Sequence, residues 1–125
     1  MRNVVDARDV EGVRKTPNRI SKVLLSEGNV GARNFSMGLN ITAVGSMIPD
    51  HSHDNEEEGM FIISGKGKLI IEGEEQELHP GMAIYVPPGV KHSIVNTGKE
   101  ELKLVWVYAP PLPEHRKRER RDDYV

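Results

Sequence analysis

The chain has no cysteine, few aromatic residues and no long apolar run. The lack of cysteine excludes disulfide bonds, thiolate metal ligands and cysteine nucleophiles together. Aromatic residues make up only 5% of the 125 residues, which argues mildly against a large aromatic substrate. No apolar stretch approaches the roughly 18 residues of a membrane helix, and the first residues lack the apolar core of a secretory signal. We therefore expect a cytoplasmic protein without a membrane partner.

The chain has nearly equal numbers of basic and acidic residues, 17 and 19. The exception is segment 116–121, where five of the six positions are Lys or Arg. This block is short, lacks interleaved aromatic residues and is bracketed by acids, so a nucleic-acid partner is not expected. A solvated tail is the simplest interpretation, and a short helix packed on the domain or on a partner is the alternative.

Most of the chain has the pattern of an all-β domain, with short strands separated by turn signals, which is typical of a sandwich or barrel. Segment 35–44 alternates, as does a strand with one face toward a core. Its apolar positions are Phe35, Met37, Leu39, Ile41 and Ala43. Segment 102–108 is apolar on both faces, which favours burial between sheets or against a second copy. We predict an N-terminal arm (1–20), a barrel (21–110), and a proline-rich spacer with a charged tail (111–125).

The stretch "DHSHDNEEEG" (50–59) contains the first candidate site residues. On a strand, His51 and His53 point to the same face, since side chains alternate with period two. Glu58 follows and opens an apolar run. A carboxylate buried beside apolar side chains is costly unless a positive charge balances it. A divalent metal would supply that charge, whereas a solvated polar loop is the alternative.

His92, just after a Pro-Pro-Gly turn, is the fourth candidate ligand. Three imidazoles and one carboxylate suit a transition metal rather than calcium or magnesium, which prefer oxygen ligands. The metals that remain open are Fe, Mn, Ni, Co, Cu and Zn. Such a set leaves one or two coordination positions free, as catalysis requires.

The spacing around the first cluster resembles the first motif of the cupin family. That motif reads Gly, five residues, His-x-His, three or four residues, Glu, six residues, Gly. This chain has Gly45, "SMIPD", His51-Ser-His53, "DNEE", Glu58, "GMFIIS" and Gly65. Glu57 also satisfies the shorter spacing but then leaves seven residues before Gly65, so we prefer Glu58.

The second cupin motif reads Gly, five residues, Pro-x-Gly, two residues, His, three residues, Asn. This chain has Gly81, "MAIYV", Pro87-Pro-Gly89, "VK", His92, "SIV" and Asn96. The resemblance implies a double-stranded β-helix, a jelly-roll barrel, with a metal held by His51, His53, Glu58 and His92. It also implies a homodimer, since cupins commonly dimerise. The family's second motif usually continues Gly-Asp, and here Met82 follows Gly81.

Residues outside the motifs are weaker candidates. Tyr85 could line the cavity and donate a hydrogen bond to a ligand, or it could pack in the core. Arg33 and Asn40 could anchor a substrate carboxylate. His79 and His115 lie outside both motifs, and we expect both to be exposed.

Three functions remain open. The first is a metal-dependent enzyme on a small polar metabolite, such as a sugar acid or keto acid, of isomerase, tautomerase or lyase type. The second is an iron-dependent dioxygenase. The third is a non-catalytic module that binds a small ligand. The residues alone do not choose among these reaction classes.

Overall fold

Alternating side chains along short segments form ten β-strands in this computed structural model, which describes residues 3–116. Helical structure in this part of the chain is limited to α1 (Glu27–Val30) and two 3₁₀ turns, Ala7–Asp9 and Pro113–His115. The strands are β1 (Val13–Lys15), β2 (Arg19–Leu25), β3 (Ser36–Thr42), β4 (Met47–His51), β5 (Glu57–Ser64), β6 (Gly67–Ile71), β7 (Glu74–Leu78), β8 (Ala83–Val86), β9 (His92–Asn96) and β10 (Leu102–Ala109).

The strands form two antiparallel sheets. One has six strands in the order β1-β2-β3-β10-β5-β8, and the other has four in the order β4-β9-β6-β7. Apolar side chains of both sheets meet in one core, which includes Ile62, Leu69, Ile94, Leu102 and Leu104. This arrangement confirms the predicted all-β jelly-roll barrel. Within residues 3–116, none of the helical segments is long and apolar enough to cross a lipid bilayer.

Strand β3 buries its polar face. Ser36, Asn40 and Thr42 are buried, whereas Met37 and the other apolar residues of the strand are only half-buried. The alternation predicted from the sequence is present, but the face toward the interior is the one with hydroxyl and amide groups. Those groups need partners or a ligand, because a buried polar group without a hydrogen bond is costly.

Asn96, the last residue of the second motif, joins the two sheets. Its buried Nδ2 donates to the carbonyl oxygens of Thr42 (3.0 Å), Ala43 (3.2 Å) and Glu100 (2.9 Å). A single amide on the four-stranded sheet thus satisfies the last carbonyl of β3 in the six-stranded sheet and two loop carbonyls. The four glycines of the two motifs, Gly45, Gly65, Gly81 and Gly89, all have positive φ.

The ends of the described chain pack onto the barrel. Strand β1 pairs with β2 in antiparallel register, from Val13 opposite Ser21 to Lys15 opposite Arg19. At the other end Leu112 and His115 are buried. The predicted boundaries at residues 20 and 110 stay predictions. Residues 117–125, which hold nearly all of the basic block, lie outside the described residues, as does the expectation of a solvated tail.

Candidate metal centre

Three of the candidate ligands meet where the two sheets face each other. His51 ends β4 and is the register partner of His92, which begins β9. Glu58 lies on β5 in the other sheet and is only 4% exposed. One donor atom from each of the three residues lies within 4.8 Å of the others. The barrel therefore places two imidazoles and one carboxylate around one point.

Backbone carbonyls orient both imidazoles. The Nδ1 atom of His51 lies 2.8 Å from the carbonyl oxygen of Pro49, and that of His92 lies 3.1 Å from the carbonyl oxygen of Val90. Since a carbonyl oxygen only accepts, each Nδ1 carries a proton, and Nε2 is the atom through which each ring could bind a metal. This backbone support of the outer nitrogen is the usual companion of a metal-binding histidine.

The two imidazoles differ in electrostatics. Burial lowers the pKa of His51 and outweighs its hydrogen bond to Pro49. Burial also acts to lower the pKa of His92, but its hydrogen bonds to Glu58 and Val90 reverse the direction and raise it. The Nε2 atom of His92 lies 3.0 Å from Oε1 of Glu58. A proton therefore lies between Nε2 of His92 and Oε1 of Glu58, and each of these two atoms could bind a metal.

His53 lies beside this group. It follows β4 in a loop, and Gly89 of the second motif donates its N–H to the carbonyl oxygen of His53 at 2.7 Å. Its ring centroid is 5.0 Å from that of His51 and 6.4 Å from that of His92. The Nε2 atom of His53 is buried and has no hydrogen-bond partner within the described residues 3–116.

The donor set fits a transition metal. A buried nitrogen without a partner is unfavourable, and coordination would satisfy Nε2 of His53. Coordination would also replace the proton between His92 and Glu58, because metals bind the deprotonated forms of these groups. Nitrogen and carboxylate donors together match the preferences of divalent transition metals.

Glu57 and Tyr85 lie on the outside of the barrel. The hydroxyl group of Tyr85 donates to Oε1 of Glu57 at 2.7 Å, and Tyr85 is 59% exposed. The expectation that Tyr85 lines the cavity is wrong, because β8 turns Ile84 and Val86 inward and the alternate residues outward. We therefore assign no catalytic role to Tyr85, and the geometry favours Glu58 over Glu57.

Tyr108 lies beside Glu58 on the neighbouring strand. The two residues are register partners on β10 and β5, so their side chains share the buried face of the sheet. The ring of Tyr108 also packs edge-on against His53 at 4.9 Å between centroids. Burial, followed by the charge of Glu58, raises the pKa of Tyr108, so the phenol remains a proton donor. The alternating pattern of β10 is the sequence signal that could have placed Tyr108 on the inward face.

His115 is buried, contrary to expectation. Its ring stacks on Trp106 with centroids 5.1 Å apart, and its Nδ1 lies 2.8 Å from the hydroxyl oxygen of Ser36. Burial lowers the pKa of His115 and favours the neutral imidazole. The contact joins residues far apart in sequence, so no local pattern could have revealed it. His79 is exposed as expected.

The four candidate ligands, Tyr108 and His115 line one cavity of about 150 Å³. The metal-ligand candidates form one side, and apolar side chains such as Met60 and Leu104 line its interior. Further polar and charged residues contribute from the first three strands and from the C-terminal turn: Lys15, Arg19, Ser21, Asn40, Glu114 and His115. Asn40 thus lines the cavity, and its predicted role as an anchor for a substrate carboxylate stays a prediction. Arg33 is exposed instead, with its Nε 3.7 Å from Glu27.

The cupin-domain family matches residues 39–108, which include both motifs and all four candidate ligands. The chain belongs to the cupin family. It is 31% identical to the polyketide synthase protein CurC of Streptomyces cyaneus over 111 residues, covering 89% of this chain and 71% of that protein. The matched parts of several curated relatives range from 61% to 71% of their length.

Solved structures share the fold at lower identity. A predicted oxalate decarboxylase from Thermotoga maritima superposes with a TM-score of 0.79 at 23% identity, covering 86% of this chain and 98% of that one. KdgF from a Halomonas species superposes with a TM-score of 0.75 at 18% identity, covering 97% and 98%. These likenesses support the cupin barrel and carry no information on the reaction.

Proposed function

We propose that the protein is a metal-dependent enzyme that acts on a small polar metabolite, with one divalent transition metal held by His51, His53, Glu58 and His92. The observation that carries the proposal is the convergence of these donors on one cavity. The buried Nε2 of His53, which has no hydrogen-bond partner in the described part of the chain, is the strongest single sign, because coordination of a metal would offset the cost of burying it.

Cavity size favours a small substrate. A volume of about 150 Å³ is below the roughly 300–1,000 Å³ of sites for drug-sized ligands. A sugar acid or keto acid suits it better than a polycyclic compound. Identity to CurC makes a polyketide intermediate the second candidate, and the small cavity argues against it.

The chemistry we propose is isomerisation, tautomerisation or lyase cleavage next to a carbonyl group. When bound, the metal supplies Lewis-acid polarisation of that carbonyl. Tyr108, the register partner of Glu58, can donate a hydrogen bond to its carboxylate, and the apolar lining excludes water from the ligands. On the cavity wall His115, favoured in its neutral form, is a candidate proton acceptor.

We further propose that the protein is a homodimer formed through the outer face of the six-stranded sheet. Half-buried Leu39, Ile41 and Val105 lie side by side there, and Phe61 and Ile63 are 47% and 46% exposed. Contiguous apolar surface of this kind marks an interaction site.

The test is metal content, measured by plasma mass spectrometry on tag-free protein. We expect about one metal ion per chain in the wild type and its loss in His51→Ala, Glu58→Ala and His92→Ala. Glu57→Ala is the matched control and should retain metal, because Glu57 points outward. Iron would direct assays to oxygen consumption and the dioxygenase alternative, and zinc, nickel or manganese to isomerase and lyase assays.

A wild type that is isolated without metal and takes up no added Fe, Mn, Ni or Zn would contradict the proposal. The cavity would then be the site of a non-catalytic binding module. Metal retention in Glu58→Ala with loss in Glu57→Ala would reverse the choice of glutamate.

A further inference from the structure

We propose that the cavity contains an anion subsite, formed by Arg19 with Asn40 and Ser21, that binds the carboxylate group of the substrate. This inference rests on the proposed function in taking the metal-facing cavity as the substrate site. The subsite lies on β2 and β3, and Glu58 lies two strands further along the same sheet, on β5. A substrate carboxylate and its reacting carbonyl would therefore have separate binding positions.

The register of the sheet directs the subsite residues inward. Ser21 pairs with Asn40 and Arg19 pairs with Thr42. Direct partners in an antiparallel pair share a face, and both Asn40 and Thr42 are buried. Arg19 and Ser21 therefore face the interior, as does Lys15, the register partner of Arg19 on β1.

Arg19 carries a partly buried charge without an acidic partner in the described part of the chain. Its Nη1 donates to the carbonyl oxygens of Thr16 at 2.8 Å and Pro17 at 3.2 Å, which fixes the side chain. No ion pair of Arg19 exists within residues 3–116. Burial lowers its pKa without a compensating acid. A ligand carboxylate would supply the missing charge, and guanidinium groups bind carboxylates with two parallel hydrogen bonds.

Asn40 provides an oriented donor beside it. Asn40 is 6% exposed, and its Oδ1 accepts a hydrogen bond from the hydroxyl group of Thr42 at 2.7 Å. The Nδ2 group is left to donate, and among residues 3–116 it has no acceptor. The hydroxyl group of Ser21 likewise has no hydrogen-bond partner there. Unused donors that line a cavity beside a cation favour an anionic ligand.

Apart from the candidate ligand Glu58, Glu114 is the one acidic residue on the described cavity wall. Its negative charge opposes the binding of an anion. It lies on the C-terminal 3₁₀ turn and is exposed, so solvent screens its charge. Lys15 adds a second positive charge on the opposite terminal segment. The local balance away from the metal ligands therefore remains positive.

The fluorescence of Trp106 provides the test, because this residue is the only tryptophan of the chain and lines the cavity. Titrations would use two matched pairs of probes, D-galacturonate with D-galactose and L-lactate with propane-1,2-diol. Within each pair a carboxylate replaces a hydroxymethyl group. We expect at least one acid to bind about tenfold more tightly than its neutral counterpart.

Variants assign the preference to the subsite. We expect Arg19→Gln to weaken binding of the acid about tenfold or more, and Lys15→Gln to weaken it about two- to fivefold. Glu114→Gln should strengthen it about twofold. Arg14→Gln is the matched control, since Arg14 lies on the same hairpin and faces outward; binding should not change.

Arg19→Gln could also disturb the hairpin, because Arg19 holds two carbonyl groups. The melting temperature of Arg19→Gln shows whether the hairpin is disturbed. If it is, the binding of the acid is measured with Arg19→Lys instead, which keeps the charge but not the paired donors. We expect it to weaken binding about threefold to tenfold. The proposal is overturned if neither acid is preferred, or if the preference survives undiminished in every folded Arg19 variant.

Each titration would be performed on chelator-treated and on zinc-loaded protein. Acid preference in both forms supports the subsite even if the metal experiment fails. Metal uptake without any acid preference leaves the proposed function in place and removes only the subsite.

Discussion

The two faces of β3 have opposite characters, and both reverse the usual expectation. The inward face carries Ser36, Gly38, Asn40 and Thr42, and the outward face carries Met37, Leu39 and Ile41. A strand of an isolated barrel usually turns its apolar side toward the core. This reversal is the pattern expected of a strand that lines a ligand cavity on one face and contacts a second copy on the other, as proposed above.

The largest effect is expected from adding a methyl group to the inward face. In Gly38→Ala the new Cβ would overlap the indole ring of Trp106 and the carbonyl oxygen of Lys22. Overpacking of this kind typically costs about 1–3 kcal/mol, and we expect the upper end because a backbone atom is involved. Thermal unfolding followed by circular dichroism would measure the loss.

Gly59→Ala is the matched control on the outward face, where Gly59 pairs with Val107 and Tyr85. Apart from Gly59 and its two chain neighbours, no residue among 3–116 has an atom within 4 Å of the added Cβ. We expect this variant to unfold within about 1 kcal/mol of the wild type, with a slight gain, since glycine weakens strands. Equal losses in the two variants would contradict the contrast between the faces.

A charge on the outward face should have the next largest effect. We expect Leu39→Arg to dissociate the homodimer, weakening it by at least about tenfold, because an unpaired charge would be buried in the apolar contact. Size-exclusion chromatography with light scattering measures the mass, and metal content should not change.

Gln76→Arg adds the same charge on β7 of the other sheet, at an exposed position. This variant should remain dimeric. A wild type that elutes as a monomer at tens of micromolar would overturn the homodimer proposal, whatever the variants do.

The smallest effect is expected on the pH dependence of stability. It comes from His115, the buried hydrogen-bond partner of Ser36. Because burial lowers the pKa of His115, the unfolded chain binds this proton more readily than the folded protein. The stability contributed by neutral His115 is therefore present above the ordinary histidine pKa of about 6.5 and declines as the pH falls below it. His115→Asn should show a smaller drop in melting temperature between pH 7.5 and pH 5.5 than the wild type.

The exposed His79 provides the control for this measurement, and His79→Asn should keep the wild-type drop. Some pH dependence should remain in His115→Asn, since burial also lowers the pKa of His51. An unchanged drop in His115→Asn would show that His115 titrates alike in the folded and unfolded chain.

Much of the candidate site could be predicted because the ligands lie in short segments of fixed spacing. His51 and Glu58 are close in sequence, and turns of fixed length around Gly89 bring His92 opposite His51. Strand parity failed for Tyr85, because alternation alone does not say which face of a four-residue strand is inward. Arg19 and His115 depend on register and packing between distant segments, and such contacts leave no local pattern.

Two parts of the chain build the wall of the cavity. The segment that the cupin-domain family matches, residues 39–108, contains every candidate metal ligand. The hairpin with Lys15 and Arg19 lies before this segment, and the turn with Glu114 and His115 lies after it. On the proposed function, substitutions in these two terminal segments would change the substrate-facing wall without changing a candidate metal ligand. Selectivity could then be engineered at the two ends while the strands that carry the candidate ligands stay intact.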